Sequence, residues 1–253
     1  MTTLNITNTV AFVTGTNKKN GIGRAVVDAL LENGAKKVYA TARDASHLDE
    51  LVKSANGRVV AISLDVTDKD QVAKLGELYP DVNLVVNNAG YAGYVSPLDG
   101  NASEVAAKEM EVNYIAPLRI IQSFSNNLKG KNNTGIVNVA SIASLVNVPN
   151  AGTYSASKAA AHSLTQAQRR DFGENTLVVG VYPGPIDTDM AEDLPFDKTP
   201  PLAVALAILD ALKHGKEDVF PDAMAIQLHE GWQTDAKAVE RMMADPQSLT
   251  ASA

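Results

Sequence analysis

Tyr154-Ser155-Ala156-Ser157-Lys158 sets a phenol and an ammonium four residues apart, on one face of the chain if the segment is helical. A free tyrosine hydroxyl, with a pKa of about 10, is a poor proton donor or acceptor near neutrality. A lysine ammonium beside it stabilises the phenolate and lowers that barrier. Ser141, thirteen residues upstream, offers a second hydroxyl that could hold a carbonyl oxygen. Together the three could protonate a carbonyl oxygen while a hydride reaches its carbon, or run the reverse on an alcohol. Tyr-x-x-x-Lys alone is common on amphipathic helices and means little. Its weight comes from what else the chain carries.

The first of these companions is the run Thr14-Gly15-Thr16-Asn17-Lys18-Lys19-Asn20-Gly21-Ile22-Gly23. It directly follows an apolar segment of strand length and opens a segment of helical period. Glycine serves where backbone must turn tightly against a pyrophosphate, and the helix behind it offers free N–H groups and a positive dipole end. An ordinary turn is the competing reading, and the placement between strand and helix favours the phosphate. At the end of the second strand, where an acid would take a ribose 2′-hydroxyl, the chain has Ala42 followed by Arg43. An arginine attracts a 2′-phosphate that a carboxylate would repel, so NADP(H) is the expected cofactor. Lys18 and Lys19 could add charge there, or all three bases could be solvated.

These groups need a scaffold that brings strand ends together. Short Val/Ile-rich runs at residues 9–13, 37–41, 59–64, 83–86, 135–139 and 177–182 read as strands covered on both faces. Helix-period segments at 22–33, 45–55, 69–78, 103–128 and 155–172 alternate with them, the first ending at Gly34. A short strand near Val219 would bring the count to about seven. The alternation implies an α/β fold, one Rossmann-type doubly wound parallel sheet with helices on both faces. No repeat, linker or charge block divides the chain, so residues 1–253 read as one domain. Residues 186–201 read as a substrate lid, 202–213 as a helix, and 223–253 as a mixed tail with one helical piece around 235–244.

The totals narrow the class further. The chain has 253 residues, no cysteine and a formal net charge of -7. There is thus no disulfide framework and no thiolate metal site, and the histidines have no partners at metal-ligand spacing. A pI near 5.1 argues against a nucleic-acid surface. No apolar run reaches a membrane span of roughly 18 residues, and the start has no signal pattern. The expectation is a cytoplasmic protein acting on a small molecule, with no nucleic-acid or membrane partner.

Taken with Asp65-Val66, Asn87-Asn88-Ala89-Gly90, Asn113, and Pro183-Gly184 with Thr188, these motifs mark a resemblance to the short-chain dehydrogenase/reductase family in its common 250-residue form. The resemblance spans about residues 9–220. It implies that Tyr154 is the general acid/base, helped by Ser141, Lys158 and Asn113. Asn113 would break its helix locally and hold a water linking Lys158 to solvent, and Lys158 would also bond the nicotinamide ribose. On the cofactor side it implies Gly15, Asn17, Lys18, Gly21, Ile22, Gly23 and Arg43 at the phosphates and Asp65 and Val66 at the adenine. Asn88, Ala89 and Gly90 would line the ribose, with Asn87 partly architectural. Pro183, Gly184, Ile186 and Thr188 would meet the nicotinamide. The chain departs from the family's Thr-Gly-x-x-x-Gly-x-Gly by two extra residues before Gly21, which read as a lengthened turn.

Relatives of this kind associate through helices equivalent to 103–128 and 155–172, which implies a homodimer or homotetramer. In the second helix Ala159, Ala160, Ala161, Leu164 and Ala167 offer a close-packing face, or pack on their own sheet. Three functions remain open: a ketone or aldehyde reductase, a 3-oxoacyl-thioester reductase, and an idle NADP(H)-binding sensor or scaffold. Tyr91 and Tyr94 either line a substrate pocket or merely pack.

Overall fold

Each apolar strand feeds two cores at once, because successive side chains point to opposite faces of a sheet. In β1 (Val10–Val13), Val10 and Phe12 enter one cluster while Ala11 and Val13 enter the other. The structure, a computed structural model, describes residues 2–192 and 197–244. Seven strands form one sheet in the order β3-β2-β1-β4-β5-β6-β7, every pair parallel. The others are β2 (Lys37–Ala42), β3 (Val59–Ser63), β4 (Leu84–Asn87), β5 (Thr134–Val139), β6 (Thr176–Val181) and β7 (Asp218–Val219).

The helices cover both faces. On one side, α1 (Ile22–Glu32), α2 (Asp49–Ser54) and α9 (Pro201–His214) bury Val26, Leu30, Leu51, Ile208 and Leu212. On the other lie α3 (Lys69–Val72), α4 (Leu75–Leu78), α6 (Ala116–Ser123) and α7 (Ser125–Leu128), which bury Leu75, Ile120, Phe124 and Leu128. Phe12 meets Phe124 in that second core, with ring centroids 5.0 Å apart and planes tilted by 54°. Helix α8 (Gly152–Phe172) packs on α5 (Ala102–Met110) and on β6. The sheet order reverses between β1 and β4, and the crevice at a reversal is where such sheets bind ligands.

Four expectations change. Residues 103–128 are not one helix: a π-helical turn, Glu111–Ile115, separates α5 from α6, and α7 is a separate turn. Residues 69–78 split into α3 and α4, and residues 45–55 begin as a 3₁₀ turn. The tail is more helical than its sequence suggests. Helix α10 (Ala223–Ala244) runs from Ala223 and kinks at Asp235, whose carboxylate accepts from Ala238 N at 3.0 Å and starts the second half. Part of the expected lid, residues 193–196, and the last nine residues lie outside the described residues.

Candidate active site

Ser141 stands just past the end of β5, where its side chain accepts from Ala143 N at 3.1 Å and caps a short 3₁₀ turn. Its hydroxyl faces Pro183 O at 3.4 Å, which ties the ends of β5 and β6 together. Tyr154 and Lys158 lie in the first two turns of α8, and the lysine Nζ is 5.6 Å from the tyrosine ring centroid. Lys158 is 5% exposed and donates to Val139 O at 3.0 Å, the last residue of β5. Burial lowers its pKa to about 8. Burial also pushes the Tyr154 phenol well above its usual value, helped by nearby Tyr94, while Ser141 pulls the other way. The expected lowering of the tyrosine by its lysine is therefore not what this geometry gives. The ammonium is spent on a carbonyl, and desolvation wins.

Asn113 sits inside the π turn, 3% exposed. Its amide accepts from Tyr91 N at 2.9 Å and donates to Tyr91 O and Ser157 Oγ at 2.8 and 2.9 Å. Such turns recur at functional sites because they redirect one side chain without ending a helix. Gly90 closes the group, since a Cβ there would lie 3.7 Å from Lys158 Nζ and 3.5 Å from Asn113 Oδ1. The four proposed proton-transfer residues thus gather at the ends of β4 and β5.

The glycine loop lies at the sheet reversal, tied to β4. Asn88 Nδ2 donates to Thr14 O and Gly15 O at 2.8 and 3.0 Å, and Thr14 Oγ1 accepts from Asn88 N and Ala89 N. Gly15 has φ +70°, and a Cβ on it would meet Ala89 Cα at 2.8 Å. The two extra residues fold into a turn closed by Gly21 N donating to Lys18 O at 2.9 Å. Gly21 caps α1 with no side-chain hydrogen bond, and Ile22 packs down on the core. A bare helix end behind a left-handed glycine suits a pyrophosphate, so these residues fit the expected dinucleotide. Gly23→Ala is expected to cost about 1–3 kcal/mol of stability and to weaken NADPH binding. Its Cβ would fall 2.6 Å from Gly15 O and 2.4 Å from Asn88 Nδ2. Thermal melts and cofactor titration check it, and an unchanged Kd would show that the loop yields freely.

The remaining expected residues scatter around this core. Asn17, Lys18 and Arg43 are exposed, and Arg43 directly follows β2. Lys18 pairs with Asp189 at 2.7 Å and Lys19 with Glu50 at 3.2 Å. Asp65, past β3, accepts from Thr67, and Val66 is partly buried beside the core. Asn87 donates to Asn138 at 2.9 Å inside the sheet, an architectural placement. Ile186 is buried and bridges to Thr199, and Thr188 N turns back on Ile186 O.

Two buried acids escaped sequence reading. Asp222 accepts from Gly184 N at 2.7 Å and caps α10 through Ala225 N, so it fixes the Pro183-Gly184 strand end. Its place after Pro221 was the available signal. Glu109, 0% exposed, accepts from Gly93 N at 2.8 Å. His162 meets Tyr182 Oη at 2.8 Å and His229 stacks on Phe220 at 3.8 Å, so both pack.

The family model for short chain dehydrogenase matches residues 9–198. An uncharacterised oxidoreductase of Staphylococcus saprophyticus is 30% identical over 216 residues, 81% of this chain and 91% of that one. A 3-oxoacyl-(acyl-carrier-protein) reductase of Thermotoga maritima is 32% identical over 200 residues, covering 74% and 77%. Among solved structures, a short chain dehydrogenase of Burkholderia cenocepacia in complex with NADP has a TM-score of 0.89 and 36% identity, over 96% of this chain and all of that one. One from Burkholderia phymatum in complex with NAD, 22% identical with a TM-score of 0.76 over 91% and 96%, shares the fold. No helix among the described residues is long and apolar enough to cross a membrane.

Proposed function

The chain belongs to the short-chain dehydrogenase family, and on that premise we propose that it is an NADP(H)-dependent reductase of ketones or aldehydes, running the reverse oxidation on alcohols. The observation that carries this reading is the meeting of Ser141, Tyr154 and Lys158 beside the Asn88-anchored glycine loop. Gly15, Asn17, Lys18, Gly21, Ile22 and Gly23 would hold the phosphates. Asp65 and Val66 would flank the adenine, and Asn88, Ala89 and Gly90 the ribose. Pro183, Gly184, Ile186 and Thr188 would meet the nicotinamide. When bound, that group supplies the hydride. Ser141 orients the carbonyl oxygen, Tyr154 gives it a proton, and Lys158, with Asn113, returns the proton from solvent. The test is loss of NADPH absorbance with aryl ketones, aldehydes and 3-oxoesters. No loss with any of them would refute the reading and leave the idle binder.

A 3-oxoacyl-thioester reductase is the second reading, favoured by the Thermotoga maritima relative. The same panel separates the two through its 3-oxoester arm. We also propose a single catalytic domain working in the cytoplasm as a homodimer or homotetramer. Ala159 is exposed and Ala160 and Ala167 partly so on α8, whereas Ala161 and Leu164 are buried in their own subunit. The contact face is thus narrower than its sequence suggests. Sedimentation at micromolar concentration is expected to show at least a dimer; a single species near 26.7 kDa would end that proposal.

A further inference from the structure

The loop after β4 is held from behind by two side chains one turn apart on neighbouring helical turns. Asn113 takes Tyr91 N, and Glu109 takes Gly93 N. Gly93 must be small, since a Cβ there would fall 2.3 Å from Val105 Cγ1. Glu109 is fully buried, and its second carboxylate oxygen has no hydrogen-bond partner. A buried carboxyl that satisfies one oxygen only is a costly way to anchor a surface loop.

What the anchor delivers is Tyr94. Its backbone has φ +50°, a left-handed conformation that a residue with a Cβ adopts only under constraint. Such strain gathers where surrounding structure forces a side chain into a working position. Tyr94 is 41% exposed, and its ring lies 6.3 Å from the Tyr154 ring, tilted by 36°. Its hydroxyl donates to Met190 O at 2.9 Å, in the segment that follows β6. Tyr94 is therefore tethered at both ends, partly exposed, and set beside the proposed proton donor. Core packing explains none of this.

We propose that Tyr94 is a specificity-determining residue whose ring forms the wall against which the substituent of the reacting carbonyl packs, favouring aromatic carbonyl compounds over aliphatic ones of equal size. The inference rests on the reductase reading above. A carbonyl oxygen at the Tyr154 hydroxyl puts its carbon substituent alongside Tyr94. Aromatic rings at centroid separations of about 4.5–7 Å attract one another in tilted and edge-on arrangements beyond their shared area. A saturated ring gains the area alone.

The experiment compares acetophenone with cyclohexyl methyl ketone, matched in size, on wild type, Tyr94→Phe and Tyr94→Ala. The aryl-to-cyclohexyl ratio of kcat/KM is expected to fall about three- to tenfold in Tyr94→Ala, chiefly through KM. Tyr94→Phe, which keeps the ring and loses only the Met190 bond, is expected to retain the ratio. NADPH affinity reports that each variant is folded. A ratio unchanged in Tyr94→Ala, or one lowered equally in Tyr94→Phe, would overturn the proposal. Calorimetric titration of both ketones into the protein–NADP⁺ complex provides an arm without turnover. If wild type reduces neither ketone, the reductase reading is decided by the wider panel of aldehydes and 3-oxoesters. The Tyr94 wall is then judged by whether the binding ratio falls in Tyr94→Ala.

Discussion

Tyr154→Phe is expected to bind NADPH within about twofold of wild type and to lose roughly 10²–10⁴-fold in kcat, the range that acid–base catalysis supplies. The substitution deletes one oxygen and keeps the ring, so the contacts with Tyr94 and the Lys158 ammonium persist. The glycine loop is anchored independently through Asn88 and Thr14, which the substitution does not touch. More than about a tenth of wild-type turnover would mean that the proton comes from elsewhere. The pH profile adds a second constraint. Burial lowers Lys158 to about 8 and raises Tyr154, so the lysine titrates first as pH rises. Reduction by wild type is expected to decline through about pH 8, as Lys158 loses the charge that supports proton return. A flat profile from pH 7 to 9 would remove Lys158 from that role.

The residues proposed for proton transfer stand out in the sequence and their supports do not, because burial acts differently on each. A parallel strand buried on both faces needs an apolar residue at nearly every position, as in β1 and β4, so the sheet shows in the sequence. Tyr154 and Lys158 stand out by spacing on one helix, and Ser141 by its place after a strand. Glu109 does not, because a glutamate in a helix ordinarily reads as solvent-facing. Only the return of residues 91–93 along α5 buries it. The local break at Asn113 was expected from the family resemblance, whereas its bond to Tyr91, 22 residues away in sequence, was not. The first half of α10 was missed for the opposite reason. It buries only Ala225 and Leu228, too few apolar positions to set a helical period.

Arg43→Ala is expected to weaken NADPH binding by about 1.5–3 kcal/mol, roughly 10- to 150-fold in Kd, while scarcely changing NADH binding. The argument begins with the sheet. β2 neighbours β1, so its C-terminal end borders the crevice that the glycine loop lines. Ala42 ends that strand with no carboxylate, and Arg43 projects its guanidinium into solvent there. Rival charges are committed elsewhere. Lys18 is paired with Asp189 and Lys19 with Glu50, so each would have to leave an acid to meet a phosphate. These exposed pairs are weak, at about 0–1 kcal/mol, and both lysines remain secondary candidates. Asp44 turns its carboxylate onto Ser46 N at 2.9 Å, as a cap of the turn that follows. That bond directs the Asp44 charge along the chain. Losing the guanidinium therefore removes a charge-assisted contact specific to a 2′-phosphate, and the ribose hydroxyl of NADH has no equivalent to lose. Equal losses for the two cofactors would make Arg43 a structural residue. An unchanged preference would move the selection to Lys18 and Lys19, and the double variant Lys18→Ala/Lys19→Ala would then show the loss instead.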